Sequence, residues 1–284
     1  MASCGGINGI GLCEMPLDIS KQVVLITGAS SGIGAACALA LAQRGASLVL
    51  AARRMDKLRE VADKAKALGS RVVIAPCDVA IRDDVIRAVQ AAKEQFGRLD
   101  VAIANAGYGL RAAVHLMSEK QMEEIWRVNV MGTWYVMAAA APIMIEQHSG
   151  HIIVVSSAIA RRSIPQMGAY AMTKSAQLAL AEAQRIELSG KSVHVSTVHP
   201  ITTDTEFFQR ATERSGKRVD GLGKTQSAEW VAKKMVRLIE HPRPELWPYA
   251  PVRYALAFAA AFPSLVDHLI KKNFSAEKNI QKRV

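Results

Sequence analysis

Cysteine is scarce in this chain: the 284 residues contain Cys4, Cys13, Cys37 and Cys77, spread far apart. There is no CxxC pair and no histidine at metal-ligand spacing, so neither a disulfide framework nor a metal site is expected. Cys37 and Cys77 read as small buried hydrophobes in a reducing compartment, and a cytoplasmic location is expected. Long apolar runs are also missing. Nothing approaches the ~20 residues that cross a bilayer, and the nearest candidate, Tyr254 to Val266, is short and carries Pro263. Met1 to Ser20 lacks the basic start and apolar stretch of a signal peptide, and it contains Glu14 and Asp18. Residues 1–20 are therefore expected to form a loose extension.

What is present is ordinary for a globular protein: 50% hydrophobic and 21% charged residues, enough to bury a sizeable core. The formal net charge is +11. From Arg210 to Val284, 15 Lys/Arg stand against 7 Asp/Glu, so +8 of the excess lies in the last quarter. These charges come singly or in pairs, without aromatic interleaving. A solvated basic surface is expected rather than a nucleic-acid or membrane-surface partner.

Between Gln22 and Pro200, β-branched runs alternate with helical stretches. The runs are Val23–Thr27, Ser47–Ala51, Val72–Pro76, Val101–Asn105, His151–Ser156 and Val193–Val198. Each is nearly continuous in apolar residues, as strands buried on both faces should be. Helical segments such as Met55–Leu68 and Asp83–Phe96 lie between them. The alternation predicts an α/β domain: a doubly wound, Rossmann-like parallel sheet with helices on both faces. Ligands bind such sheets beyond the carboxyl ends of the strands. The cofactor-binding and catalytic domain is expected over residues 21–250, with 201–225 as a substrate lid. Residues 251–284 should form an apolar helix and basic tail beside it.

The chemistry sits where that rule directs. The first strand runs into Thr27-Gly28-Ala29-Ser30-Ser31-Gly32-Ile33-Gly34 and an Ala-rich helix. Glycines there permit a tight turn and close approach of a pyrophosphate to the helix N-terminus. Further along lie Asn105-Ala106-Gly107, Asn129, Ser156-Ser157, and Tyr170 four residues before Lys174. On a helix, Tyr170 and Lys174 share a face. A lysine cation beside a phenol is expected to lower its pKa from ~10, making it a general acid-base.

These ordered motifs resemble the classical short-chain dehydrogenase/reductase family, from about Lys21 to Phe208. The resemblance implies an oxidoreductase that moves a hydride between a nicotinamide cofactor and a carbonyl or secondary alcohol. Tyr170 and Lys174 would be catalytic, Ser157 would hydrogen-bond the substrate oxygen, and Asn129 would hold a water linked to Lys174. Cofactor contacts are expected from Gly28, Ser30, Ser31, Gly32, Ile33 and Gly34, and from Asp78 and Val79 at the adenine. Asn105, Ala106, Gly107, Tyr170, Lys174, Pro200, Ile201, Thr203 and Thr205 complete the set. Where NAD-preferring members carry a carboxylate, this chain has Ala52 followed by Arg53 and Arg54. NADP(H) is thus expected in preference to NAD(H), both arginines facing the 2′-phosphate.

Two glycines of the family pattern are missing, at Ile201 and Ala160, which puts local loop paths in question. Leu110, Ile164, Met167, Phe207 and Phe208 are expected to line a pocket for a hydrophobic small molecule, with Arg161 and Arg162 as the anionic alternative. A homodimer or homotetramer is expected through Met137, Ala141, Leu178 and Leu180. The competing functional classes are a non-catalytic nucleotide-binding or scaffolding protein and a basic nucleic-acid or lipid-surface binder.

Overall fold

The computed structural model describes residues 17–216 and 224–281, with side chains described to residue 272. Most of the expected N-terminal extension, Cys4, Cys13 and the 217–223 part of the expected lid lie outside the described residues.

The strands are β1 (Val23–Thr27), β2 (Ser47–Ala52), β3 (Val72–Pro76), β4 (Val101–Ala104), β5 (Gly150–Val155) and β6 (Val193–Val198). The helices between them are α1 (Gly32–Ala42), α2 (Met55–Ala67), α3 (Arg82–Phe96), α4 (Glu119–Trp126), α5 (Gly132–Glu146) and α6 (Gly168–Glu187). After β6 come β7 (Thr203–Asp204), α7 (Phe207–Ser215), β8 (Gln226–Ser227), α8 (Ala228–Glu240), β9 (Glu245–Leu246), α9 (Pro251–Ala261) and α10 (Pro263–Gln281).

Among the described residues, seven strands form one parallel sheet in the order β3-β2-β1-β4-β5-β6-β9. The chain winds outward from β1 to β3, then returns to lay β4 on the other side of β1. The crevice for a ligand opens at that switch. Side-chain alternation distributes β1 between two cores. Val24 and Ile26 pack toward Leu41 of α1, Leu58 of α2 and Val231 of α8. Val23 and Leu25 pack toward Val85 of α3, Val136 of α5 and Ala181 of α6.

Three short strands escaped sequence reasoning. The strand β9 hides in a proline-punctuated stretch, and its two residues pair with Thr197 and Val198 of β6. The small β7–β8 pair is equally short. Periodicity needs more residues than either offers. The expected C-terminal helix is two helices, broken where Pro263 starts α10. They expose Tyr254, Phe258, Phe262, Leu265 and Leu269 to solvent.

The run Glu119–Glu146 has the length and apolar composition to cross a membrane, but half of its apolar window is buried inside the fold. The residues expected to carry assembly pack inside the subunit. Met137 and Ala141 are buried within the subunit's own core, and Leu180 packs against it. Leu178 is buried as well. The exposed apolar residues on α5 and α6 include Trp134 and Met172.

Candidate active site

At the carboxyl end of β1 the chain turns with Gly28 at φ 68° and Gly32 at φ 56°, the left-handed region that favours glycine. A side chain on Gly28 would come within 2.9 Å of the Ala106 backbone. One on Gly34 would lie 2.4 Å from the Gly28 carbonyl. Both positions let α1 start hard against the end of the sheet. Asn105 fastens this turn from β4, its Nδ2 donating to the carbonyls of Thr27 (2.9 Å) and Gly28 (3.3 Å). Asn105 N in turn donates to the Thr27 hydroxyl at 3.1 Å.

The turn is one wall of a cleft of about 510 Å³, within the range usual for ligand sites. The same cleft reaches Ala52, Arg53, Arg54, Asp78, Val79, Ala106, Gly107, Ser157, Tyr170, Lys174, Pro200, Ile201, Thr203 and Thr205. A glycine cradle against a helix N-terminus, opening into a long cleft, fits a dinucleotide.

Beyond the cradle the two serines at the end of β5 divide their work. Ser156 donates to the Lys174 carbonyl at 2.9 Å and so ties α6 to the sheet. Ser157 turns into the cleft beside the Tyr170 phenol. Burial drives that phenol's pKa well above its usual value, and the Ser157 hydroxyl offsets the rise only in part. Lys174 is 4% exposed. Its Nζ donates to the Val155 carbonyl (2.9 Å) and Gln177 Oε1 (3.0 Å), and burial pulls its pKa down to about 7. The Lys174 Nζ stands 5.7 Å from the centre of the Tyr170 ring. The cation expected to lower the phenol's pKa is therefore itself destabilised, and desolvation dominates both groups.

The profile of the short chain dehydrogenase family matches residues 22–216, which hold this cradle and this Ser-Tyr-Lys group. The chain belongs to that family. It is 36% identical over 200 residues to an uncharacterized oxidoreductase of Listeria innocua, covering 70% of this chain and 81% of the relative. Among solved structures it resembles an alcohol dehydrogenase from Thermococcus sibiricus complexed with 5-hydroxy-NADP. That match has 31% identity and a TM-score of 0.71 over 80% of this chain and 95% of the other. It also resembles a short chain dehydrogenase/reductase from Burkholderia phymatum in complex with NAD. There the identity is 26% and the TM-score 0.80, covering 88% and 96% of the two chains. The protein is thus an oxidoreductase of the short-chain type with a Rossmann-like sheet.

Against the family pattern, several residues differ from expectation. The Asn129 side chain accepts from Tyr108 N (3.0 Å) and donates to Tyr108 O (2.9 Å) and to Thr173 Oγ1 (3.0 Å). The Asn129 backbone carbonyl, in the π-helical segment Arg127–Met131, accepts from Gln177 Nε2 at 2.7 Å. The Gln177 amide joins the two residues directly, its Nε2 donating to Asn129 O and its Oε1 accepting from Lys174 Nζ. Gln177 is fully buried and was missed. Its polar character on the buried face of α6, three residues after Lys174, was the available signal.

The two arginines also separate. Arg53 is more than half exposed and pairs with Asp78 at 3.5 Å. Arg54 Nη2 reaches Ser31 Oγ (2.8 Å) and Ser30 Oγ (3.2 Å) in the glycine turn. Arg54 bonds the glycine turn, and Arg53 lines the same cleft beside Asp78. Asp78 is not the cap of α3, which is Ile81. Its Oδ1 instead accepts from Ala80 N at 3.0 Å, and Val79 packs where a side chain on Gly132 would lie.

The loop after β6 does not need its missing glycine. Ile201 avoids the left-handed region, and Pro200 O accepts from Ala158 N at 2.9 Å. Thr203 is held by pairing with Gln226, and Thr205 packs over Gly32. Ile164, Met167, Phe207 and Phe208 line the cleft, joined by Val252 and Leu256 of α9, which sequence reasoning missed. Leu110 does not line it. It is buried in the cluster behind Tyr170. Arg161 is paired with Glu182 and Glu245, and Arg162 with Asp267.

Proposed function

We propose that this oxidoreductase moves a hydride between NADP(H) and a hydrophobic carbonyl compound or secondary alcohol, with Tyr170 as the general acid-base. The observation that carries this reading is the single cleft. It joins the glycine cradle and Arg54 at one end to Ser157, Tyr170 and Lys174 at the other. When bound, the nicotinamide supplies or accepts the hydride. The protein's own part is to orient the reactants, exclude water and manage one proton.

Tyr170 is 8% exposed, and its raised pKa keeps the phenol protonated at neutral pH. That suits donation to a carbonyl oxygen that gains charge. Ser157 lies against the phenol and can hold the same oxygen. The Phe207 ring, 5.4 Å from the Tyr170 ring, shields the pair from solvent. Phe207 belongs to residues 201–225, which we take as a substrate lid over a cofactor-binding and catalytic domain of residues 21–250. Residues 251–284 then add a wall through α9. Apolar side chains dominate the substrate end. Arg161 is matched by Glu182 and Glu245 and Nη2 of Arg162 by Asp267, which favours a hydrophobic substrate over an anionic one.

NADP(H) is supported by Ala52, where a carboxylate would repel phosphate, and by Arg54 beside Ser30 and Ser31. A charged hydrogen bond contributes on the order of 1.5–3 kcal/mol. Replacing Arg54 by Ala should therefore weaken NADPH binding roughly ten- to a hundredfold, with NADH little changed. Trp134 and Met172 on α5 and α6 offer a surface for the homodimer or homotetramer we expect. The deciding experiment for catalysis is Tyr170→Phe. Turnover on a carbonyl panel followed at 340 nm should fall by ~10²–10⁴, with NADPH affinity unchanged. A variant retaining more than half of the wild-type rate would refute the assignment.

A further inference from the structure

Glu206 stands at the head of α7, directly after Thr205, on the rim of the same cleft. Its carboxylate collects three cations, Arg54 and Lys57 from the start of α2 and Arg210 from its own helix. Oε2 accepts from Arg54 Nη1 at 2.9 Å and from Arg210 Nη2 at 2.8 Å, and Oε1 pairs with Lys57. The same Arg54 guanidinium holds the hydroxyls of Ser30 and Ser31 through its other nitrogen. One negative charge therefore sits among three positive ones, beside two hydroxyls of the glycine turn. This is the donor set that a phosphate dianion would satisfy more fully.

We propose that Glu206 is an internal rival of the cofactor's 2′-phosphate, and that this carboxylate sets how strongly the protein favours NADP(H) over NAD(H). The inference rests on the reading of Arg54 as the 2′-phosphate contact. Two anions cannot share the Arg54 and Lys57 donors without repulsion, so a 2′-phosphate has to displace the carboxylate. NAD(H) carries no such group and leaves Glu206 in place. The contact joins the end of β2 to the first turn of α7. Its exchange therefore frees the head of the lid helix when the phosphorylated cofactor enters and not when the other does. The Glu206 carboxyl is held below its usual pKa by Lys57 and Arg54, so the rival stays charged through the neutral range.

Glu206→Gln keeps the shape of the side chain and removes its charge. Dissociation constants for NADPH, NADH, 2′,5′-ADP and ADP are measured by calorimetry on wild type and variant, with thermal melting to confirm folding. NADPH and 2′,5′-ADP should bind about tenfold more tightly to the variant, while NADH and ADP stay within about twofold. Added salt should narrow the difference. Unchanged or weaker binding of NADPH and 2′,5′-ADP would overturn the rivalry and make Glu206 a brace that orients the cations. Glu206→Ser, lacking any amide to substitute for the carboxylate, repeats the measurement should the first variant melt early. The NADP(H) reading fails on a different result: a loss of NADPH affinity of less than twofold in Arg54→Ala, whatever Glu206→Gln does.

Discussion

Lys174 and Gln177 form a unit in which burial, not charge pairing, decides the chemistry. Among the described residues the amine has two oxygen acceptors and no carboxylate, so its ammonium form is poorly compensated and its pKa falls to about 7. Gln177 positions Lys174 and ties it to Asn129 and Thr133. Gln177→Glu should place a carboxylate on the amine and raise the Lys174 pKa. The limb of the kcat/KM profile near pH 7 that we assign to Lys174 should then move by about one unit or more to higher pH. Gln177→Leu should instead lower kcat while costing about 1–3 kcal/mol of stability through unpaired buried groups. A profile that keeps its midpoint in Gln177→Glu would remove Gln177 from this role.

At the scale of elements, the contact that matters most is α1 against the turn that precedes it. Gly34 lies on the first turn of the helix, and a methyl there meets the Gly28 carbonyl at 2.4 Å and Asn105 Nδ2 at 2.6 Å. The backbone and a hydrogen-bonded amide cannot swing aside, so α1 has to tilt out of the cradle. Gly34→Ala is expected to cost about 1–3 kcal/mol and to weaken cofactor binding at least tenfold. Gly97, the C-cap of α3 at φ 78°, has open space around it. Gly97→Ala should cost about 1–2 kcal/mol from its left-handed backbone while leaving cofactor binding intact. Urea titrations and cofactor titrations on both variants check the contrast; equal losses of binding would defeat it.

Across the whole molecule, stability should depend on two buried histidines of the β5–β6 region. His151 is 2% exposed, bonded to Ser196 Oγ at 2.7 Å, and burial pulls its pKa to about 3. His199 stacks on Trp247 with ring centres 4.2 Å apart, and burial lowers it to about 4. Both folded values lie below the ~6.5 of an exposed histidine. Their stabilisation is therefore complete above pH ~6.5 and is lost as pH falls toward 4, because the unfolded chain takes up protons that the fold refuses. Each contributes up to about 1.4 kcal/mol per pH unit in that window. The urea midpoint should fall between pH 7 and pH 5, and His151→Gln should flatten the slope. A midpoint that does not move between those pH values would contradict this account.

Patterns of local spacing were enough to reveal the six long strands, the glycine turn and the Tyr170-Lys174 pair, and the family resemblance added Ser157. Each depends on residues near in sequence or on a run long enough to repeat. Contacts between distant segments were invisible in that record. Arg54 rather than Arg53 bonds the glycine turn because the end of β2 points it at Ser30 and Ser31. Gln177 bridges Lys174 and Asn129 because α6 and the π-helical turn at Asn129 meet at the right distance. Met137 and Ala141 belong to the core because α5 presses them on the sheet. Glu206 meets Arg54 although 152 positions separate them in sequence. Sequence alone determined the fold class, which follows from local periodicity, and singled out candidate reacting groups through side-chain chemistry and the family motifs they resemble. Tertiary structure decided which charges pair, which polar groups are buried and how far each pKa moves, because those depend on packing between segments that no local spacing records.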